Sequence, residues 1–335
     1  MPTKMLKIKS LSHLYFILFA SIQLLAQADL KLSNFTYTPL AYNPAYAGSN
    51  GGISLSSVYS SQWVGFPGAP KTILFNGSQA ISEEQMGIGF NAEIDKRGAE
   101  EETKLVANLA YHLDINENWR FSMGIKGGVE KYLVDYSLLA IENPTEFIAG
   151  IGQQNTTNYI FGTGFYLHSE KFYFGAAIPN LIPPSLLDTN HSTISQQSMN
   201  YYFSSGYKFY TNKDTYIQPS LLTRVVKGAP ISSLLSVNLN MKDQIYLSTN
   251  FEFKSSIGFF AGIRIYENYL IGYAFDKSIT KFTIDNKTDI KKYYQCQGYV
   301  VIKNLLCHQK IDYFIKQYEK IRRNKFFIYY SQSVH

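Results

Sequence analysis

From Gly52 to about residue 284 the chain repeats one pattern, short segments in which every second residue is apolar, separated by polar turns. A period of two belongs to an extended strand whose side chains alternate between two faces. Met86, Ile88, Phe90, Ala92 and Ile94 fall on one face, and Gly87, Gly89, Asn91 and Glu93 on the other. Leu105, Ala107, Leu109, Tyr111 and Leu113 stand against Asn108, Ala110, His112 and Asp114. Trp119, Phe121, Met123, Ile125 and Val129 stand against Arg120, Ser122, Gly124, Lys126, Gly128 and Glu130. The first face is apolar, while the second mixes small with charged residues. A barrel with lipid outside and a polar lumen has this pattern. So does a β-sandwich with one solvated face, so alternation alone leaves both open.

The links between segments separate the two. Roomier links, at Trp63 to Lys71, Asp95 to Glu102, Asp135 to Asn158, Asn180 to Ser198 and Val226 to Pro230, alternate with tight turns near residues 83, 117, 169, 213, 242 and 267. The sixth roomy link, near Lys254, is short. Long connections at one end and short ones at the other are the habit of outer-membrane barrels. This predicts an all-β, antiparallel, up-and-down transmembrane barrel, with the N-terminus and the tight turns in the periplasm. About thirteen strands are legible before residue 285, each roughly the nine to twelve residues a tilted strand needs to cross. Bacterial single-chain barrels carry even strand numbers, so a fourteenth is expected. Aromatics form 16% of the chain and charged residues only 17%, against roughly 25% in soluble domains. A lipid-facing wall with aromatic girdles needs that composition.

Lys4, Lys7 and Lys9 precede an apolar run from Leu11 to Leu25, and Ala26-Gln27-Ala28 offers a small-residue cut site. This reads as a cleaved secretory signal peptide over residues 1–28. The run is shorter than the ~20 residues a spanning helix needs. A short N-terminal segment, 29–51, then precedes the barrel at 52–285. The net charge of +6 is uneven: residues 286–335 hold 10 basic and 3 acidic residues, whereas 29–285 hold 18 basic and 22 acidic. No nucleic-acid surface is indicated for the body. Both cysteines, Cys296 and Cys307, lie in the basic tail, so the body has no disulfide or thiolate metal site.

Three motifs mark the start of the chain: Asn43-Pro44-Ala45-Tyr46-Ala47-Gly48, then Gln62-Trp63, then Gly68-Ala69-Pro70 with Thr72. Together they resemble the opening of the PorP/SprF family of type IX secretion system outer-membrane proteins. Looser matches follow at Phe174-Gly175 into Pro179-Asn180-Leu181, at Pro219-Ser220, and at Ile271 to Asp276. The resemblance implies a component that works with periplasmic and outer-membrane parts of the type IX machinery. It also implies a link to secreted adhesin cargo and, in some members, to gliding. Physically, Pro44 fixes its own φ and biases Asn43 to extended backbone, while Gly48 supplies a turn. This predicts a shaped element that plugs the lumen or meets a partner at the periplasmic mouth. The alternative function for such a barrel is a channel for small or hydrophobic solutes.

Enzymatic chemistry finds little support. His112 lies one pleat from Asp114, and His168 lies near Ser169, but neither spacing assembles a nucleophile, a base and an orienting group. Glu100-Glu101-Glu102 beside Lys96-Arg97 reads as a solvated loop tip. The histidines show no metal spacing, and no cofactor motif stands in the chain. Glu93, Arg120, Lys126 and Glu130 fall on the lumen face, where they either line a pore or pair with one another. Buried charges need partners, which keeps pairing open, and pairing in a plugged lumen is preferred because the resemblance implies secretion partners and not solutes. The tail departs from the family. Ile311, Phe314, Ile315 and Tyr318 have helical spacing amid basic residues, compatible with a surface helix. The preferred expectation is a reading frame altered near residue 286, with the closing strand lost.

Overall fold

The structure is a computed structural model. It describes residues 34–64, 68–81, 85–138, 152–182, 198–266 and 268–279, and the backbone of 185–187, 193–196, 282–283, 290–291 and 294–303. The expected signal peptide lies outside the described residues. Fourteen long strands form the wall: β1 (Ile53–Gln62), β2 (Lys71–Ile81), β3 (Met86–Arg97), β4 (Glu100–Asn116), β5 (Trp119–Asp135), β6 (Gln153–His168) and β7 (Phe172–Ile178) make up its first half. The second half is β8 (Asn200–Tyr207, continued by Phe209–Asn212), β9 (Thr215–Val226), β10 (Ser232–Met241), β11 (Ile245–Glu252), β12 (Ser256–Ile265), β13 (Tyr269–Ser278) and β14 (Tyr294–Lys303).

All neighbours are antiparallel, and each strand pairs with two others. β8 pairs with β7 at Tyr202↔Ala177 and with β9 at Ser205↔Leu221. β14 joins the last hairpin to the first, at Tyr273↔Gly298 and Tyr59↔Gly298. The ladder therefore runs the whole way round, although β6 pairs with β7 only from Thr163 to His168. Among the described residues no helix is long and apolar enough to cross a membrane. A closed antiparallel ladder satisfies backbone N–H and C=O groups between strands, which is what hydrocarbon demands.

The faces are those the alternation assigns. Ile125, Leu105 and Phe161 are at least half exposed on the outside, whereas Ser122, Asn108 and Glu130 are buried on the inside. The inner face is polar but ordered. Asn76 Nδ2 donates to Ser56 Oγ, Asn91 Nδ2 to Asn76 Oδ1, and Asn108 Nδ2 to Asn91 Oδ1, so a hydrogen-bonded ladder crosses β1 to β4 at 2.6–3.1 Å. Tight turns take their own solutions. At the β10–β11 hairpin, a three-residue connection, Lys242 and Asp243 both adopt φ +52° and the Gln244 N–H donates to the Met241 carbonyl at 3.0 Å, a left-handed pair that matches strand twist.

Two expectations are corrected. The roomy link at Asp95 to Glu102 is a tight hairpin: β3 runs to Arg97, β4 starts at Glu100, and Glu102 is a buried strand residue. A run of charges reads as a loop tip in sequence, but here alternate charges point inward and pair. The closing strand is not lost. It is Tyr294–Lys303, so the barrel boundary moves from residue 285 to 303. Tyr294, Cys296, Gly298, Val300 and Ile302 alternate with Gln295, Gln297, Tyr299, Val301 and Lys303. Charge counted over the whole of 286–335 hides this ten-residue window.

Candidate functional site: a plug seated in the lumen

Residues 34–50 lie inside the wall. Three one-turn 3-10 helices, Phe35–Tyr37, Pro39–Ala41 and Pro44–Tyr46, fold the segment into a compact body. Prolines at the first position of the second and third helices supply the fixed φ and need no donor there. Asn43 caps the third helix, its Oδ1 accepting from the Ala45 N–H at 3.0 Å. Its Nδ2 donates to the Phe165 carbonyl of β6 at 2.9 Å. One side chain thus shapes the turn and ties it to the wall. Burial is close to complete: Phe35, Ala45 and Ala47 are at 0%, and Asn43 is at 2%.

The seat under this turn is made of small residues. Strand register aligns Ala80, Gly87, Ala110, Gly124, Gly164 and Ala177 in one row across β2 to β7. A Cβ on Gly124 would stand 2.3 Å from the Ala45 nitrogen, and one on Gly87 would stand 2.0 Å from the Ala47 oxygen. A Cβ on Gly164 would meet Asn43 Oδ1 at 2.2 Å. Gly48, at φ +73°, turns the chain away above Ala80 and Gly87. At Gly87 and Gly124 contact is therefore backbone against backbone, so a side chain at either glycine would displace the plug.

On the opposite side the plug meets aromatic side chains. Phe35 packs with Tyr42 and Leu222, and Tyr37 packs against Tyr246 and Phe260, the latter at 4.8 Å between ring centroids. Asn250 Nδ2 donates to Asn34 Oδ1 at 2.7 Å. Burial pushes the Tyr46 phenol up to about 12, so it stays a neutral donor to Asn50 Oδ1 at 2.9 Å. The plug leaves chambers beside it. One of about 250 Å³ opens among the tight-turn residues Ser169, Glu170 and Lys171. One of about 110 Å³ lies toward the long-link end, beside Glu93, Lys104, Lys126 and Glu130.

The predicted residues fall into four places. Asn43, Pro44, Ala45 and Gly48 form the plug turn and are buried in this conformation. Gln62, Trp63, Gly68 and Pro70 sit together at the rim. The Gln62 N–H donates to the Pro70 carbonyl at 2.9 Å, the Gly98 N–H to the Gly68 carbonyl at 2.9 Å, and Trp63 accepts a left-handed φ of +48°. Glu93 and Glu130 share Lys104, at 3.6 Å each, and Asn158 donates to Glu130 at 3.3 Å. Arg120 lies apart, paired with Asp114 at 2.6 Å.

Sequence reasoning missed the centre of this network. Lys104 reaches Glu102 at 2.7 Å, and Arg97 bridges Asp95 and Glu102. Their common parity within β3 and β4 was the available signal. His112 Nδ1 and Ser122 Oγ are 2.7 Å apart, but Ser122 is wholly buried, so no substrate reaches it in this conformation. Among the described residues no cluster of three or more His, Cys, Asp or Glu could hold a metal.

The family model for type IX secretion system membrane proteins PorP/SprF matches residues 24–289. The chain belongs to the PorP/SprF family. As a PorP/SprF barrel it is an outer-membrane protein with a type IX secretion role, and the plug turn lies within the matched residues. No curated protein matches the chain in sequence. Among solved structures it is similar to the monoaromatic hydrocarbon channel CymD, at 8% identity and TM-score 0.48, over 79% of this chain and 91% of that one. It is similar to the Pseudomonas putida toluene transporter TodX, at 8% identity and TM-score 0.44, over 79% and 92%. It is also similar to the Acinetobacter baumannii outer membrane protein Omp33, at 7% identity and TM-score 0.44, over 75% and 97%. At these scores the likenesses carry no argument about function, and the fold rests on the strand pairings.

Proposed function

We propose that this PorP/SprF barrel is a plugged, non-enzymatic scaffold of the type IX machinery. Its N-terminus and tight turns face the periplasm, where they meet ring components, and it helps deliver adhesin cargo to the cell surface, with gliding dependent on that delivery. The observation that carries this reading is the burial of the family motif across the lumen. A barrel that invests its most specific sequence in closing its own pore is suited to hold partners, not to pass solutes. The alternation of long and tight links supports the assigned orientation.

The test is deletion of the gene, complemented by the wild-type chain or by a chain lacking Asn43 to Gly48, with surface delivery of secreted cargo as the readout. The expected result is loss on deletion, rescue by wild type, and failure of the motif-deleted chain to rescue although it is inserted. Unchanged secretion and motility in the deletion strain overturn the reading. A steady solute-permeable conductance from the intact protein favours the channel function instead.

A further inference from the structure

The 250 Å³ chamber at the tight-turn end has a charge arrangement that the plug does not use. Lys208, half-buried where β8 is interrupted, holds its Nζ 5.4 Å over the Tyr216 ring. Among the described residues no carboxylate lies within ion-pair distance of it. Arg264 stands 5.0 Å over the Tyr246 ring, and the carboxylate nearest it, Asp243, is at the outer limit of pairing, 3.9 Å. Asp243 is already engaged by the Asn240 amide at 2.8 Å. His168, stacked on Tyr166 at 5.0 Å, carries a buried Nδ1 with no hydrogen-bond partner. Lys208, Tyr216, Arg264, Tyr246, Tyr166 and His168 all line one space.

Aromatic faces thus hold two cations in place, with Asp243 at the edge of pairing distance from Arg264, and Glu170 and Asp243 acting on Lys208 only from beyond it, so N–H donors remain to take an anion. A half-buried cation whose counter-charges stand off is costly, and an incoming carboxylate lowers that cost. The volume selects further. Sites for whole small molecules run to roughly 300–1,000 Å³, so this chamber suits a chain end or one acidic side chain. Glu170 at the mouth disfavours a diffuse polyanion.

We propose that the chamber binds a carboxylate presented by a partner polypeptide, with Lys208 and Arg264 as the cationic pair. The ligand enters between the tight turns. This rests on the reading that the tight-turn end meets the secretion machinery.

The experiment uses the full chain in detergent micelles, titrated calorimetrically with N-acetyl-glycyl-glycyl-phenylalanine as the free acid, with its C-terminal amide, and with acetate. The free acid is expected to bind, the amide at least about tenfold more weakly, and acetate more weakly than the peptide acid. Lys208→Gln and Arg264→Gln should each weaken the free acid about tenfold, whereas Lys208→Arg, which keeps charge and fold, should retain binding. Equal binding of acid and amide, or indifference to both Gln variants, overturns the proposal. Acetate binding as tightly as the peptide overturns the polypeptide occupant. In cells the two readings separate: normal secretion in the gene deletion with carboxylate binding intact in vitro removes only the secretion role. A deletion that abolishes secretion while both Gln variants secrete normally and bind equally well removes only the carboxylate site.

Discussion

The two walls that hold the plug work in opposite ways. Across β2 to β7 the plug turn lies on the Gly/Ala row, so its position is set by backbone atoms that have nowhere to move. Across β9 to β13 it leans on rings and amides, Tyr37 on Phe260 and Asn34 on Asn250, beside an open chamber. The first contact is fitted and intolerant, while the second is adaptable. Close-packed backbone contact transmits any added volume as displacement, whereas aromatic contacts re-pack at small cost. Specificity for the family motif therefore resides in the glycine wall, and the tyrosine wall is free to serve a ligand.

Ways of breaking this asymmetry rank by expected size. Gly124→Leu should be largest: it drives a branched side chain into Ala45, and overpacking of this kind costs about 1–3 kcal/mol. The plug should leave its seat, and planar-bilayer recording should show a steady conductance that the wild type lacks, with the barrel still folded. Asn43→Ala removes the cap of the third helix and the bond to the Phe165 carbonyl, and should cost about 1–2 kcal/mol in thermal unfolding followed by circular dichroism. Tyr37→Phe on the other wall removes one long contact to Ser248 Oγ at 3.5 Å and should change stability by less than about 0.5 kcal/mol. A Tyr37→Phe loss as large as that of Asn43→Ala would erase the distinction between the walls.

The wall was legible in the sequence because a period of two over long strands is a strong signal, and Ile88, Leu105 and Ile125 face outward as that period requires. The motif was legible as a shaped element, since Pro44 and Gly48 restrict the backbone in any context. Its seat was not. Gly87, Ala110, Gly124 and Gly164 look like scattered small residues until register aligns them, and register depends on hairpin lengths that polar turns only approximate. The same uncertainty concealed Lys104 as the shared partner of Glu93 and Glu130, and made Glu102 read as loop. The last strand was obscured by its basic surroundings. Arg120 shows the converse: parity says nothing about distance along the barrel, and it pairs with Asp114 near the tight turn, away from Glu93 and Glu130.

The central claim, that the family motif fills the lumen, is tested most directly by thiol accessibility. In a background with Cys296→Ser and Cys307→Ser, Ala45→Cys and Asn118→Cys are exposed in turn to a water-soluble maleimide on the folded, membrane-inserted protein. Asn118 is at an exposed turn and should label fully, whereas Ala45, at 0% exposure, should stay unlabelled until Gly124→Leu is added. Labelling of Ala45→Cys as fast as Asn118→Cys, in the absence of Gly124→Leu, would contradict the account.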